Sequence, residues 1–351
     1  MNKNKQIRTA LLAYGMSGKI FHAPFLELHP GFELIGSWER SKKKIHEDYP
    51  RAKSYPSLDA VLDDNIDLVI VNTPVATHFE YAKAALLAGK HVLVEKAFTS
   101  TVAEAEELRD IASEKNVKLS VFQNRRYDSD FLTVRDVFDK NILGEIVEAE
   151  IHFDRYNPKL SLKQHKETPN SGAGILKDLG SHIIDQALCL FERPIGLFAD
   201  IRITRENSVV DDWFDITLFY DDFRVRLKAG FLVREPLPAY ILHGKKGSFI
   251  KSRGDVQEDE LKLGEKPMVI EWGIEPAYKS GVLHTEIEGE TVRENVQTMR
   301  GNYYWFFDAL CRAIREDAPV PVSAEDGLNV MRIIEAAIES SRKKEYTILK
   351  N

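Results

Sequence analysis

Two of the side chains that could move protons to and from a hydroxyl group are neighbours. Glu95 and Lys96 stand in the stretch VLVEKAF (92–98), where a short apolar run predicts the end of a parallel strand. Ligands of doubly wound sheets bind at that edge, so an amine there could exchange a proton with a hydroxyl or polarise it. A Glu–Lys ion pair on the surface is the alternative interpretation of the same residues.

Asp178 and His182 stand in a second such stretch, GAGILKDLGSHIIDQA (172–187). The sequence predicts one helix over 175–191, so that residues four apart share a face. A histidine there could act as a general base or acid, and the aspartate could orient a substrate. The spacing also fits a pair of metal ligands, but no third ligand is apparent, and we predict no metal. A structural histidine in the core is the other alternative.

The stretch LLAYGMSGKIFH (11–22) has the form of a dinucleotide-binding turn, with an apolar run, glycines and the start of a helix. The pattern Gly-x-Gly-x-x-Gly needs glycine at 13, 15 and 18, and position 13 is Ala13. Gly15 and Gly18 remain, for approach of the pyrophosphate and for close helix–strand contact. The following helix offers N–H groups to phosphate. The turn therefore predicts dinucleotide binding, although a packed turn without a ligand has the same pattern.

The end of the second predicted strand, WERSKKK (38–44), carries features suited to both nicotinamide dinucleotides. Glu39 is the acidic type of residue that holds the ribose hydroxyl of NAD. Arg40 and Ser41 are suited to the 2′-phosphate of NADP, because a guanidinium binds phosphate through two hydrogen bonds. We therefore favour NADP(H) and keep NAD(H) as the alternative.

The elements around these residues predict two domains. Residues 1–124 alternate short apolar strands with helices, which indicates an α/β domain with a doubly wound parallel sheet of the Rossmann type. Residues 125–351 change to segments of period two, which predict an α+β domain with a large, mostly antiparallel open sheet. These segments lie at 146–156, 197–204, 214–220 and 224–232. Helices are predicted at 303–316 and 324–343, the last packing back on the first domain, while 251–300 shows no clear order.

The composition argues against several classes of function. A net charge of −7 makes nucleic acid an unsuitable partner, and no apolar run approaches the roughly 18 residues that a membrane span needs. The apolar start of the chain runs directly into the glycines, so we interpret it as the first strand rather than a secretory signal. Cys189 and Cys311 stand in apolar helical segments, which predicts two buried free thiols in the cytoplasm.

The motifs AYGMSG, TPVATH (73–78), EKAF and GILKDLGSHIIDQAL occur in an order that resembles the Gfo/Idh/MocA family of NAD(P)-dependent oxidoreductases. Further stretches, among them SGKIFHAPFL, FQNRRYDSDFLT and HFDRYNP, are similar to the bacterial branch that contains NADP-dependent scyllo-inositol dehydrogenases. The resemblance implies a cytoplasmic enzyme of carbohydrate metabolism that interconverts a secondary alcohol of a polyol or sugar and its ketone, with scyllo-inositol and an inosose as the first candidates. It also implies a homo-oligomer, either a dimer or a tetramer.

The same resemblance assigns residues to the site. Lys96, Asp178 and His182 would be catalytic, with His182 taking the alcohol proton and Lys96 stabilising the developing oxyanion or joining the proton relay. Arg155 and Tyr156 would contact the polyol. The cofactor would be lined by Gly15, Met16, Ser17, Gly18, Lys19, Arg40, Ser41, Thr73, Pro74, His78, Glu95 and Asn124. Ala97 replaces the proline of the family's E-K-P motif, which leaves open whether the bond after Lys96 is cis.

Two alternative functions remain. A dehydrogenase of another sugar or cyclic diol would use the same residues, because substrate choice depends on loops that the sequence does not place. A non-catalytic sensor that binds a dinucleotide would keep the fold. Such proteins usually lack the lysine or the histidine, whereas this chain has Lys96 and His182.

Overall fold

The computed structural model describes residues 5–40, 43–169 and 172–349, apart from the side chains of residues 164 and 165. The chain forms two compact units. The first unit contains the chain up to Asn124, together with Gln257–Trp272 and Asn302–Leu328. The second unit contains Arg125–Val256, Gly273–Gly301 and the chain from Asn329 onward. The chain first passes from one unit to the other after Asn124, and two later segments return to the first unit.

The first unit is built on a six-stranded parallel sheet in the order β3-β2-β1-β4-β5-β6. Its strands are β1 (Ile7–Leu11), β2 (Phe32–Trp38), β3 (Lys53–Tyr55), β4 (Leu68–Val71), β5 (His91–Val94) and β6 (Leu119–Val121). All residues of β4 are buried, as expected of a parallel strand with helices on both faces. The order and direction confirm the predicted doubly wound sheet of the Rossmann type.

Several helices of this unit begin at caps that the sequence contains. The helices between the strands are α1 (Ala23–Leu28), α2 (Ile45–Asp48), α3 (Leu58–Leu62), α4 (His78–Leu87) and α5 (Val102–Glu114). Ser57 accepts a hydrogen bond from the Ala60 N–H at the start of α3, and Thr101 forms a capping box with Glu104 at the start of α5. The glycine turn is different, because a π-helical turn at Gly18–His22 precedes α1.

Two helices from later in the chain also belong to the first unit, α9 (Gln257–Leu263) and α10 (Tyr304–Glu316). Phe307 of α10 stacks on Phe25 with the ring centroids 5.4 Å apart. Phe306 meets Phe122 edge to face at 4.9 Å. All four rings are buried, so α10 completes the aromatic core of this unit.

The second unit is built on a nine-stranded sheet in the order β14-β13-β12-β11-β7-β10-β9-β8-β15. Its strands are β7 (Ile146–His152), β8 (Gly196–Arg202), β9 (Trp213–Phe219), β10 (Arg224–Gly230), β11 (Tyr240–Gly244), β12 (Gly247–Lys251), β13 (Gly281–Ile287), β14 (Glu290–Val296) and β15 (Thr347–Ile348). The pair β7–β10 is parallel, and the other described pairs are antiparallel. This confirms the predicted mostly antiparallel sheet, whereas β11 to β14 were not predicted.

Among the described residues, the second unit has four α-helices, the last of which begins in the first unit. They are α6 (Ser129–Asp139), α7 (Gln164–Glu167), α8 (Ser181–Phe191) and α11 (Ala324–Lys343). The prediction of one helix over 175–191 is wrong at its start, because Leu176–Gly180 forms a second π-helical turn and α8 begins after it. Where α11 begins, Gly327 lies so close to Val121 that an added Cβ atom would be 2.7 Å from the valine Cγ2.

The nine-stranded sheet has one apolar face and one polar face. In β10, Val225 and Leu227 are buried, whereas Arg224 and Arg226 are exposed. The polar face contains an open groove of about 610 Å³, lined by side chains of β7, β8, β9 and β10. The predicted alternation of solvent-exposed and buried residues is therefore present on these strands.

The composition also predicts the absence of a membrane span and the state of the two cysteines. In the part of the chain that the structure describes, no helix is both long and apolar enough to cross a membrane. Both cysteines are free thiols, and Cys311 is buried as predicted. Cys189 is only half-buried, because it stands with Leu188 on the less covered side of α8.

Candidate active site

The glycine turn after β1 is closed by a side chain from the end of β4. Asn72 directly follows β4, which is the neighbour of β1 in the sheet. Its Oδ1 accepts a hydrogen bond from the Ala13 N–H at 3.0 Å, and its Nδ2 donates to the Ala13 carbonyl at 2.8 Å. Both backbone groups of Ala13 are thereby satisfied, so the turn is held with alanine where the pattern has glycine.

Gly15 and Gly18 serve different purposes in this turn. A Cβ atom at Gly18 would lie 2.5 Å from the Ala13 carbonyl oxygen, so the close approach requires glycine. A Cβ atom at Gly15 would meet no atom within 4 Å, and Gly15 is exposed, as is Met16 beside it. The backbone at Gly15 is therefore open to a ligand, as a pyrophosphate group requires.

Lys19, on the π-helical turn, is already paired within the first unit. Its Nζ lies 2.8 Å from Oδ2 of Asp48, and the Tyr14 hydroxyl donates to the same carboxylate at 2.8 Å. The hydrogen bond from Lys19 lowers the pKa of Asp48, while burial and the bond to Asp48 raise the pKa of Tyr14. The Lys19 ammonium remains more than half exposed, so it could still attract an anion.

The Glu39 carboxylate, just after β2, is bonded to the start of α2. Its Oε1 accepts from the Lys44 N–H at 3.1 Å, and its Oε2 accepts from the Ile45 N–H at 3.1 Å. The Ser37 hydroxyl also donates to Oε2, at 3.3 Å. Arg40 is exposed beside this carboxylate, and Ser41 lies outside the described residues.

Glu95, just after β5, joins the glycine turn to the candidate catalytic lysine. The Ser17 hydroxyl donates to Oε1, His22 Nε2 lies 2.9 Å from Oε1, and the Lys96 N–H donates to Oε2 at 3.2 Å. Burial by itself would raise the pKa of Glu95, but the bonds from His22 and Ser17 outweigh it and leave the pKa below its ordinary value. The side chain is therefore a mostly buried carboxylate, 13% exposed, that ties two parts of the site together.

The loop that carries Lys96 is supported by His78. Lys96 is half-buried. Its peptide bond to Ala97 is cis, although alanine replaces the proline of the E-K-P motif. His78 was predicted to line the cofactor, but its ring is buried between the loops after β4 and β5. Its Nδ1 lies 3.0 Å from the Ala97 carbonyl oxygen and its Nε2 lies 2.8 Å from that of Thr73. Burial lowers the pKa of His78, and the ring has almost no surface to offer a ligand.

The other predicted cofactor residues of the first unit follow β4 and β6. Thr73 and Pro74 come after β4, where the Thr77 hydroxyl donates to that of Thr73 at 2.8 Å and Pro74 is exposed. Asn124 comes after β6 and is buried. Because the carboxyl ends of parallel strands share one edge of a sheet, these residues lie at the same edge as the glycine turn and Glu95.

Asp178 and His182 stand on either side of the change from the π-helical turn to α8. Asp178 therefore lies in a π-helical turn, in which each N–H bonds to the fifth residue back, and not in the single α-helix that the sequence predicted. Asp178 is half-buried and accepts a hydrogen bond from Lys166 at 2.7 Å, whereas His182 is 5% exposed. Both π-helical turns of the described chain carry predicted site residues, which agrees with the frequent use of such turns at functional sites.

Arg155 and Tyr156 follow the end of β7 in the second unit. The Arg155 N–H donates to the Gly230 carbonyl at 2.9 Å, and its guanidinium lies 5.0 Å from the centroid of the Phe153 ring. Tyr156 is exposed, and the guanidinium of Arg234 lies 4.0 Å from its ring centroid. Backbone pairing and cation–π contacts therefore hold both side chains at the end of this strand.

The predicted catalytic residues come from both units. Lys96 belongs to the first unit, and Asp178 and His182 belong to the second. Within the described ranges, no group of three or more His, Cys, Asp or Glu side chains is arranged to hold a metal ion. Sequence analysis missed Asn72, His22 and Lys166 as supporting residues. Only Asn72 carried a signal, since it directly follows a predicted strand at the edge where ligands bind.

Two models of one oxidoreductase family match the chain. The NAD-binding Rossmann fold of the Gfo/Idh/MocA oxidoreductases matches residues 7–123. The C-terminal alpha/beta domain of the same family matches residues 135–349. Together the two matches cover both sheets described above.

Full-length relatives support the same assignment. The chain is 38% identical to scyllo-inositol 2-dehydrogenase (NADP(+)) IolW of Bacillus subtilis, over 98% of this chain and 96% of that protein. It is 39% identical to YdgJ of Escherichia coli, an uncharacterized oxidoreductase, over 96% of this chain and 97% of that protein. The solved structure of yvaA from Bacillus subtilis is 38% identical and matches with a TM-score of 0.93, over 99% of this chain and 100% of that chain.

Asn72→Ala tests the closure of the glycine turn. The variant loses both hydrogen bonds to Ala13, so we expect the free energy of unfolding to fall by about 1–3 kcal/mol. Urea denaturation measures this loss, and amide hydrogen exchange at Ala13 shows whether it is local. Asn65→Ala, at an exposed position, is the matched control and should change stability by less than about 0.5 kcal/mol. Equal stability of the two variants would contradict the role given to Asn72.

Proposed function

Since the chain belongs to the Gfo/Idh/MocA family of oxidoreductases, we propose that it interconverts a secondary alcohol of a polyol or sugar with the corresponding ketone, using NADP(H). The first substrates to consider are scyllo-inositol and an inosose, because a relative that matches 98% of the chain is named as a scyllo-inositol 2-dehydrogenase. The observation that carries the proposal is the position of Lys96. It places an amine just after β5, at the sheet edge where ligands of this fold bind.

Three side chains would carry the chemistry. A dinucleotide bound at the glycine turn would supply or accept the hydride. In the direction of alcohol oxidation, His182 takes the hydroxyl proton as a general base. The ammonium of Lys96 stabilises the negative charge that develops on the same oxygen. Asp178 orients the substrate hydroxyls, and the proton transfers run in reverse when a ketone is reduced.

The residues that would recognise the polyol follow the end of β7. Arg155 and Tyr156 offer hydrogen-bonding groups suited to uncharged hydroxyls. Their backbone is held by pairing with the segment after β10, since the Val233 N–H donates to the Arg155 carbonyl at 3.0 Å. A rigid backbone at this position would allow the two side chains to choose among polyols by the placement of their hydroxyls.

The preference for NADP(H) rests on the residues that follow β2. The backbone at Gly15 would receive the pyrophosphate, and Arg40 with Ser41 would hold the 2′-phosphate. Glu39, which could otherwise accept a ribose hydroxyl, has both carboxylate oxygens bonded to the start of α2. Exposed Arg40 could contact the adenosine ribose, and a guanidinium favours the phosphate form.

Lys96→Met tests the catalytic assignment. Loss of the ammonium removes stabilisation of the oxyanion, so we expect kcat to fall by about 10²–10³-fold or more, while NADPH binding remains. Steady-state assays with inositols, inososes, other sugars and cyclic diols measure turnover, and Lys140→Met, just after α6, is an exposed control. Normal activity of Lys96→Met would overturn the assignment.

The same assays separate the alternatives. Wild-type protein that binds NADPH but turns over none of these substrates would be a sensor. Turnover of another sugar or diol alone would keep the enzyme and replace the inositol.

Arg40→Ala tests the choice of cofactor. Removal of a charge-assisted contact to the 2′-phosphate should weaken NADPH binding by about 10–100-fold and leave NADH binding nearly unchanged. Fluorescence titration measures both affinities, because Trp38 ends β2 close to this position in the chain. Lys43→Ala provides a control at an exposed cation nearby. If wild-type protein binds NADH more tightly than NADPH, the preference for NADP(H) is wrong.

We also propose a homo-oligomer formed through the polar face of the nine-stranded sheet. Its groove exposes Phe198 among charged side chains that include Asp215 and Arg226. An aromatic side chain surrounded by both signs of charge suits a self-complementary contact. We therefore expect light scattering to give the mass of a dimer or tetramer, and Phe198→Glu to shift it toward one chain. Lys140→Glu is the control, and a single-chain mass for wild-type protein would refute the proposal.

A further inference from the structure

Asp178 is paired with a lysine from a segment that the sequence did not connect with it. Lys166 of α7 donates to Asp178 Oδ2 at 2.7 Å. Both side chains are half-buried, so the pair lies at the boundary between protein and solvent. An ion pair at this boundary contributes little to the stability of the fold, so stability alone does not account for the contacts that hold the two side chains in place.

A buried arginine anchors the segment that carries Lys166. The Arg205 guanidinium donates to the two carboxylate oxygens of Glu167 at 3.3 and 3.0 Å. Its Nε donates to Asp212 at 3.0 Å, and one of its terminal nitrogens donates to the Lys159 carbonyl at 3.2 Å. Arg205 and Asp212 are buried. One guanidinium therefore fixes both ends of the segment 159–167.

Asp211, the neighbour of Asp212, anchors the other half of the pair. Its Oδ2 accepts from the Leu176 N–H at 2.9 Å, and its carbonyl accepts from the Ile175 N–H at 2.9 Å. Gly174 has φ +95°, and a Cβ atom there would lie 1.9 Å from Asp211 Oδ1, so glycine is required at this position. Two consecutive aspartates before β9 thus place the π-helical turn of Asp178 and, through Arg205, the helix of Lys166.

We propose that Lys166 is a positioning residue for the reaction, which holds the Asp178 carboxylate charged and oriented toward the substrate hydroxyls. This inference rests on the proposed function, in which Asp178 orients a polyol. Lys166 acts through Asp178 alone. Without the ammonium, the carboxylate loses the hydrogen bond that orients it and protonates at a higher pH, so the substrate is held less well.

The charged and titratable groups near Asp178 come from several elements. Lys166 stands on α7, Lys177 is the next residue back along the π-helical turn, Asp211 caps the start of that turn, and His182 stands on α8. Asp211 is half-buried, and the partial burial of its carboxyl raises its pKa. Lys166 donates to the Asp178 carboxylate at 2.7 Å, so its removal changes the electrostatic field at Asp178 directly.

Lys166→Met tests the inference in the full chain. We expect kcat/KM for the polyol to fall about tenfold and the KM for NADP⁺ to stay within about twofold. The acid limb of the pH profile should shift to higher pH by about one unit. Lys166→Arg should restore most of the activity, since it returns a cation. Lys159→Met removes the same charge from an exposed position of the same segment and should behave as wild type.

A double variant shows whether Lys166 acts through Asp178. In an Asp178→Asn background, Lys166→Met should lower kcat/KM by less than about twofold further, because the group it positions is already absent. Additive losses would overturn the inference, as would a Lys166→Met enzyme that behaves like Lys159→Met.

A titration without substrate separates this inference from the proposed function. The carboxyl signal of Asp178 in protein labelled with ¹³C-aspartate is assigned by its loss in Asp178→Asn, and its pKa is measured in wild type and Lys166→Met. The pKa should rise by about one unit in the variant. If no polyol or sugar is turned over, the proposed function fails, and the titration still decides whether Lys166 controls Asp178. An unchanged pKa would refute the inference.

Discussion

The arrangement of the first unit depends on the hydrogen bonds between the Asn72 side chain and the backbone of Ala13. They join β1 to β4 at the point where the strand order of the sheet reverses, which is where ligands of such sheets bind. Gly18 packs against the carbonyl that Asn72 holds, and Gly15 leaves the backbone open. Because the neighbouring strand supplies the constraint, a turn that begins with alanine keeps the form that a pyrophosphate group needs.

Glu95 extends this constraint from the turn to Lys96. It accepts hydrogen bonds from Ser17 and His22 on one side and from the Lys96 N–H on the other. Its lowered pKa keeps it charged at neutral pH, so these donors remain bound to a carboxylate. The backbone that would hold the dinucleotide and the amine that would act on the substrate oxygen therefore constrain each other through one side chain.

Local signals in the sequence predicted most elements of the first unit and four strands of the second. The capping box of Thr101 with Glu104 and the cap at Ser57 depend on residues only a few positions apart. The alternation of apolar and polar residues in β7 to β10 indicates one buried face and one solvent-exposed face. The strands from β11 to β14 escaped prediction, and β14 shows why, because its residues are mostly exposed and leave no apolar pattern. The π-helical turn at Leu176–Gly180 was not predicted, because the residue types of LKDLG do not distinguish a π-helical turn from an α-helical one.

The residues that hold the loops of the candidate site in position were harder to predict from the sequence than the candidate catalytic residues themselves. Asn72 acts on Ala13 from 59 positions away, and Asp211 acts on Leu176 from 35 positions away. A sequence pattern within one helix or strand does not indicate a hydrogen bond to a residue so far away along the chain. In both units a polar side chain at the end or start of a strand binds the backbone of the loop that carries the candidate site. Because these bonds are made to the backbone, the loop is fixed without using its functional side chains, and those side chains can differ between relatives while the loop keeps its form.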